Sequence, residues 1–259
     1  MKIICLITQL FLFASLYGAP ENDRFFSKKN NDEKTYLLSP GRSGTHLLMY
    51  IISYLTKRPC GDGRFSEVTK VDPSLPRIYQ IHSQANAFEW YGQKLDREND
   101  YLILIIRNYK EALLRATCGD YLQVLKILQS PKGTWGLEIF EDLEEYDCWN
   151  PERRLLIYYE ELITHAEKVC RELIDFLDVS DKHLKDLIDN YDHHFEVALK
   201  YYDQTHGGSY SKGKNLHYHT SLLPKGVEED MDAVLIEKYP LLVEKYLKKY
   251  LASRERDIL

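Results

Sequence analysis

The chain has 259 residues, with 34 Lys and Arg against 40 Asp and Glu, a formal net charge of -6. Hydrophobic residues make up 44% and charged residues 29%, enough for one large α/β domain with a well-buried core or for two small domains. Collagen-like and low-complexity chains are excluded. So is a general nucleic-acid binder, which needs a net basic face, although an acidic shell still permits one small cationic pocket.

Met1-Lys2 is followed by an apolar run from Ile3 to Leu16 and then by Tyr17-Gly18-Ala19-Pro20. A charged start, a short apolar stretch and small residues near a cut read as a signal peptide over residues 1–19. An uncleaved anchor or an ordinary helix is the alternative. The expected location is the secretory pathway, or the cytoplasm if the segment is not processed. The run is short for a transmembrane span, and no other segment approaches that length. Residues 20–34 are polar and read as a linker, leaving 35–259 for the fold. Cys5, Cys60, Cys118, Cys148 and Cys170 form no C-x-x-C pair and match no zinc-ligand spacing, so they read as buried or free thiols.

Tyr36-Leu37-Leu38 is a short strand signal ending in Ser39-Pro40-Gly41, and Leu47, Leu48, Ile51, Ile52 and Leu55 then recur at helical spacing. Further strands are predicted over Arg77–Ile81 and Tyr101–Ile106. The second is apolar on both faces, as a central parallel strand should be. Helices are expected at Ala85–Leu95 and from Lys110 to about Cys118. Leu155–Tyr159 reads as a fourth strand and Leu162–Leu177 as a helix. Beyond it the pattern is helical, interrupted by a Gly/Ser/Lys/His-rich stretch at Thr205–Thr220. Strands alternating with helices predict a three-layer α/β/α sandwich on a central parallel sheet, with ligands bound beyond the carboxyl ends of the strands.

Two of those ends carry chemistry. Ser39-Pro40-Gly41-Arg42-Ser43-Gly44-Thr45-His46 opens onto a helix N-terminus, where backbone N–H groups, the hydroxyls of Ser43 and Thr45 and the Arg42 charge suit an anion. A capped connection with a surface arginine is the plainer reading. The loop is not a Walker A motif, because Gly41 and Gly44 stand too close and no lysine precedes Thr45. Arg107, in Arg107-Asn108-Tyr109-Lys110-Glu111, stands at the end of the buried strand, where its planar fork can grip a phosphate or a neighbouring carboxylate.

These segments, in this order, resemble the sulfotransferase family. Pro40–Thr45 looks like its 5′-phosphosulfate loop (P-K-S-G-T-T-W), and Arg107–Glu111 like the R-N-P-K-D that opens its 3′-phosphate site. Pro76–His82 is similar to the strand ending in K-T-H. Tyr159-Glu160-Glu161-Leu162 resembles Y-E-D-L, and Ser211-Lys212-Gly213, with Tyr218 and Leu222, faintly resembles the late R-K-G segment. The resemblance runs from Tyr36 to about Leu222.

It implies a P-loop-like fold and a transferase that takes the sulfuryl group from 3′-phosphoadenosine 5′-phosphosulfate (PAPS), releases PAP and uses no metal. Carried over by position, Arg42 stands for the family lysine, and Ser43, Gly44, Thr45 and His46 hold the 5′-phosphosulfate. Arg107 and Arg115 serve the 3′-phosphate, Tyr159 lies near adenine, and Lys212 and Gly213 close over the phosphates. His82 is the expected general base, with Asp62 or Glu67 as the acidic alternative. Three positions depart from the pattern: Arg42 replaces lysine, Leu47 replaces a stacking tryptophan, and Arg115 replaces a serine. The acceptor is expected to be a small molecule, carbohydrate or peptide, met by loops at Cys60–Pro73, Gln84–Trp90 and the helices after Gly119, with Phe65, Phe88, Trp90, Tyr91 and Trp135 as candidate contacts. A small-molecule kinase and a non-catalytic nucleotide-binding module are the competing readings.

Overall fold

A computed structural model describes residues 33–132, 134–205 and 220–252. The segment 1–19 and Lys212, Gly213 and Tyr218 lie outside the described residues. Four strands, β1 (Thr35–Leu38), β2 (Ile78–Ile81), β3 (Tyr101–Ile106) and β4 (Arg154–Tyr158), form one parallel sheet in the order β2-β1-β3-β4. The register pairs Leu38 with Ile81 and with Leu104, and Ile106 with Tyr158, so all four carboxyl ends lie along one edge.

β1 and β3 occupy the middle of the sheet, and alternate residues feed two separate cores. Leu37, Ile103, Ile105 and Ile157 face one side, while Tyr36, Leu38, Leu102, Leu104 and Ile106 face the other. The first core is covered by α1 (Thr45–Thr56), α8 (Ala166–Leu177), α9 (Leu184–Asp189) and α10 (Tyr191–Thr205). The second is covered by α3 (Gln84–Tyr91), α4 (Tyr109–Ala116), α5 (Tyr121–Gln129), α6 (Glu138–Asp147) and α11 (Val227–Lys238). α2 (Ser66–Thr69) and α7 (Tyr159–Thr164) are short, and α12 (Pro240–Leu242) runs on through a π-helical Val243–Leu247. The three-layer α/β/α architecture is the expected one. α1 is apolar on nearly every side because it is buried on nearly every side.

Two helices differ from expectation. Gly92 adopts a left-handed conformation at φ 63° and ends α3 at Tyr91, short of Leu95. The helix expected over Leu162–Leu177 is two helices, because His165 leaves helical geometry at φ -134° and ψ 46°. The break separates α7, which starts directly off β4, from α8, whose Val169, Cys170, Leu173, Ile174 and Leu177 form a stripe against the sheet. The four described cysteines are free, with Cys60 and Cys170 buried.

Asp142 on α6 is 3% exposed, and its Oδ2 has no hydrogen-bond partner. Burial, reinforced by the negative charges of Glu138, Glu141 and Glu145, pushes its carboxyl well above the ordinary value. A raised folded-state value means that its contribution to stability is complete below the unfolded carboxyl value. That contribution is lost as pH rises through the folded one. Asp142→Asn is therefore expected to raise the melting temperature relative to the parent at pH 8, with the difference shrinking toward pH 4. Thermal melts across that range check it, and a gain that is the same at every pH contradicts it.

Candidate functional site

The loop between β1 and α1 is shaped by its own turn. Ser43 N donates to the Pro40 carbonyl at 3.3 Å, and the Ser43 hydroxyl donates to the same oxygen at 2.7 Å. The Ser43 proton is thus committed to the loop rather than presented outward. Arg42 and Gly44 both have positive φ, 67° and 96°. Gly44 is the N-cap of α1, and neither a side-chain cap nor an acidic residue in the first turn neutralises that end. An uncapped helix N-terminus on a compact loop is a favourable place for an anion. Thr45, the first helical residue, is buried, and Arg42 is exposed.

A Cβ at Gly44 would overlap the ring of Tyr159, so the tyrosine packs directly on the loop backbone. The Arg107 guanidinium lies over the same ring, 4.3 Å from its centroid. Arg107 is 9% exposed, its Nη2 is 3.2 Å from Glu111, and its Nε has no hydrogen-bond partner. A buried guanidinium with a donor unused has capacity for a further anion. Pro40–Ser43 and Arg107 line one cavity of about 240 Å³, whose lining also includes Trp135 and Glu138. Arg115, half-buried on the last turn of α4, does not line it.

His82 follows β2 and is exposed. Its Nδ1 lies 2.6 Å from the Ser39 carbonyl. A carbonyl only accepts, so Nδ1 carries the proton and Nε2 keeps its lone pair, with the Gln80 amide 3.3 Å away. Trp90 meets the ring edge-on at 5.7 Å. His46 faces a different group. Its Nε2 accepts from Arg64 at 2.8 Å, and Arg64 is in turn held by Asp62 at 2.6 Å.

Burial alone would raise the Asp62 carboxyl, but the hydrogen bonds and charge of Arg64, with His46, bring it below the ordinary value. A carboxylate so engaged is a poor proton acceptor. Glu67 is exposed on α2 and lines another cavity, shared with Arg77.

The structure thus brings Gly44, Tyr159 and Arg107 into contact and joins Arg42, Ser43 and Arg107 around one cavity. Ser39 links His82 to the start of the same loop. Lys212 and Gly213 lie outside the described residues. Phe65, a candidate acceptor contact, is a core residue at 1% exposure, packed edge-on to Tyr50 at 5.6 Å, whereas Phe88 and Trp90 are exposed. Among the described residues no group of three or more His, Cys, Asp or Glu could hold a metal ion.

Sequence reasoning missed Arg64 and Glu138, and it missed the structural part played by Lys110. Lys110 is fully buried, 2.8 Å from Asp232 and 2.9 Å from Glu228. No local signal marks it, because its carboxylates arrive from α11.

No protein-family model matches the chain, and no curated protein matches it significantly. Among solved structures it is similar to mouse sulfotransferase SULT7A1 complexed with PAP, at 17% identity and a TM-score of 0.52, covering 86% of this chain and 89% of that one. It also aligns with the sulfotransferase domain of the Synechococcus PCC 7002 olefin synthase, at 13% identity and a TM-score of 0.42 over 83% of this chain and 97% of that one. Retinol dehydratase in complex with androsterone and inactive cofactor PAP aligns at 11% identity and a TM-score of 0.37, over 86% and 81%. The first likeness shows a shared fold: this chain has the P-loop-like α/β fold of sulfotransferases.

Gly44→Ala tests the contact on which the loop depends. A left-handed backbone costs an ordinary residue about 1–2 kcal/mol, and the Tyr159 ring must also move. Denaturant unfolding is expected to show a loss of at least that size, and an unchanged midpoint contradicts the packing described.

Proposed function

We propose that this chain is a sulfotransferase that moves the sulfuryl group of PAPS to a hydroxyl or amine of an acceptor. The observation that carries the reading is Arg107, a buried guanidinium with an unused donor, sharing a cavity with the uncapped loop of α1. Two anion-binding features on one cavity suit a donor with phosphates at both ends. The shared fold adds support.

On this reading Arg107 holds the 3′-phosphate, and the backbone N–H groups of Gly44, Thr45 and His46, with Arg42, hold the 5′-phosphosulfate. Tyr159 braces both, through Gly44 on the loop and Arg107 above its ring. When bound, the donor supplies the sulfuryl group, whose bond to the 5′-phosphate breaks as a bond to the acceptor nucleophile forms. The positive end of α1 and Arg42 then stabilise the negative charge left on that phosphate.

His82 is the proposed base. With Nδ1 donating to the Ser39 carbonyl, Nε2 is the ring atom able to take the acceptor's proton. The engagement of Asp62 by Arg64 favours the histidine over that carboxylate.

General-base catalysis contributes about 10²–10⁴-fold. His82→Ala is therefore expected to lower transfer of labelled sulfate from PAPS, across a panel of phenol and amine acceptors, by about 100-fold or more while PAP affinity is kept. Transfer that survives His82→Ala but is abolished by Glu67→Ala would overturn the assignment.

A further inference from the structure

Where β4 passes into α7, the run Tyr158-Tyr159-Glu160-Glu161 divides its side chains between two destinations. Tyr159 packs on Gly44 and lies under Arg107. Its neighbours hold the C-terminal segment. Tyr158 Oη donates to the Tyr246 carbonyl at 3.1 Å, Tyr250 Oη donates to Glu160 Oε2 at 2.6 Å, and Glu161 pairs with Lys249 at 2.9 Å. That segment is firmly docked. Val243, Tyr246, Leu247 and Tyr250 belong to the second core, and Ala252 N donates to Asp232 at 2.6 Å.

Glu160 also reaches the motif that carries Arg107. Its Oε1 accepts from Asn108 N at 3.0 Å, and Asn108 directly follows Arg107. One carboxylate therefore joins the backbone beside the buried guanidinium to the C-terminal segment. Asn108 is the N-cap of α4, outside helical geometry at φ -47° and ψ 108°. A charge-assisted hydrogen bond on its N–H fixes the Arg107–Asn108 peptide at the turn into the helix. Tyr250 is 8% exposed, and burial, with the Glu160 charge beside it, holds its phenol well above the ordinary value. Tyr250 thus keeps its proton, donates to Oε2 and leaves the carboxylate turned with Oε1 toward Asn108.

We propose that Glu160 is a positioning residue for Arg107. Through Tyr250 and Glu160, the C-terminal segment then sets how well the site distinguishes a nucleotide with a 3′-phosphate from one without it. The proposal rests on the reading of Arg107 as the 3′-phosphate ligand. Glu160 and Tyr250 act through Arg107 and take no part in bond making. Loosening the C-terminal segment lowers affinity for the 3′-phosphate and leaves affinity for the 5′-phosphate little changed.

Calorimetric titration of the full chain with PAP and with adenosine 5′-monophosphate, which lacks the 3′-phosphate, reads this as a ratio of affinities. Glu160→Ala is expected to lower that ratio about tenfold and Tyr250→Phe about threefold, since each removes part of a charge-assisted contact. Glu160→Gln keeps an acceptor for Asn108 N and is expected to recover most of the ratio lost in Glu160→Ala. A merely structural role would weaken both nucleotides alike. Tyr250→Phe keeps the packed ring and decides the matter if Glu160→Ala does not fold. An unchanged ratio in Tyr250→Phe, or a ratio in Glu160→Gln as low as in Glu160→Ala, overturns the proposal and leaves the sulfotransferase reading in place. If the parent binds PAP no more tightly than adenosine 5′-monophosphate, the assignment of Arg107 falls and the positioning role falls with it.

Discussion

The contact between the Tyr159 ring and the bare backbone of Gly44 is the constraint on which the site depends. It requires a residue without a Cβ at the N-cap of α1, and it brings the end of β4 against the loop that follows β1. The same ring carries Arg107 from the end of β3. One aromatic side chain therefore fixes three strand ends relative to one another. A cation held over an aromatic face contributes about 0.5–2 kcal/mol, toward the upper figure when desolvated, and Arg107 is nearly buried. The geometry also keeps a positive charge away from water, near the uncapped end of α1, so two features that favour an anion are already fixed in the folded chain.

Arg107-Asn108-Tyr109-Lys110-Glu111 shows how much of a motif is scaffolding. Arg107 faces the cavity and Glu111 pairs with it. Asn108 caps α4 through Lys110 N, and its own N–H donates to Glu160 at 3.0 Å. Tyr109 and Lys110 both bind Asp232 on α11. Asp232 also accepts from Ala252 N at 2.6 Å, which ties the end of the described chain to the same point. Removing one partner of such a buried pair leaves an uncompensated charge and costs about 3–5 kcal/mol. α4 is thereby anchored at its N-terminal turn, and Arg107, the residue just before that turn, inherits its position from the anchoring.

Much of this was legible in the sequence because it is local. The apolar run Tyr101–Ile106 is β3 from end to end, and the Ser39–His46 loop leads into a helix as its glycines and hydroxyls suggested. Parallel order followed from the alternation of strands and helices. The parts that stayed hidden depend on distant partners. Lys110 meets Asp232 across 122 residues, and Trp135 reaches the loop's cavity only through the packing of Gly136 on Leu113 and Ile127. The opposite case is Ser43, whose hydroxyl looked like an anion donor but closes the turn on Pro40. Neither composition nor spacing distinguishes a hydroxyl that shapes a loop from one that serves a ligand.

The central claim is that one buried arginine and one helix N-terminus together hold a nucleotide bearing both 3′- and 5′-phosphates. Thermal stabilisation of the full chain by PAP, compared with adenosine 5′-monophosphate and ATP–Mg, tests it most directly. A ligand that binds only the folded state stabilises it by about 2.7 kcal/mol at 100 times its dissociation constant. A clear upward shift is expected with PAP, a smaller one with adenosine 5′-monophosphate, and loss of that difference in Arg107→Ala. No shift with PAP, or a larger one with ATP–Mg, would contradict it.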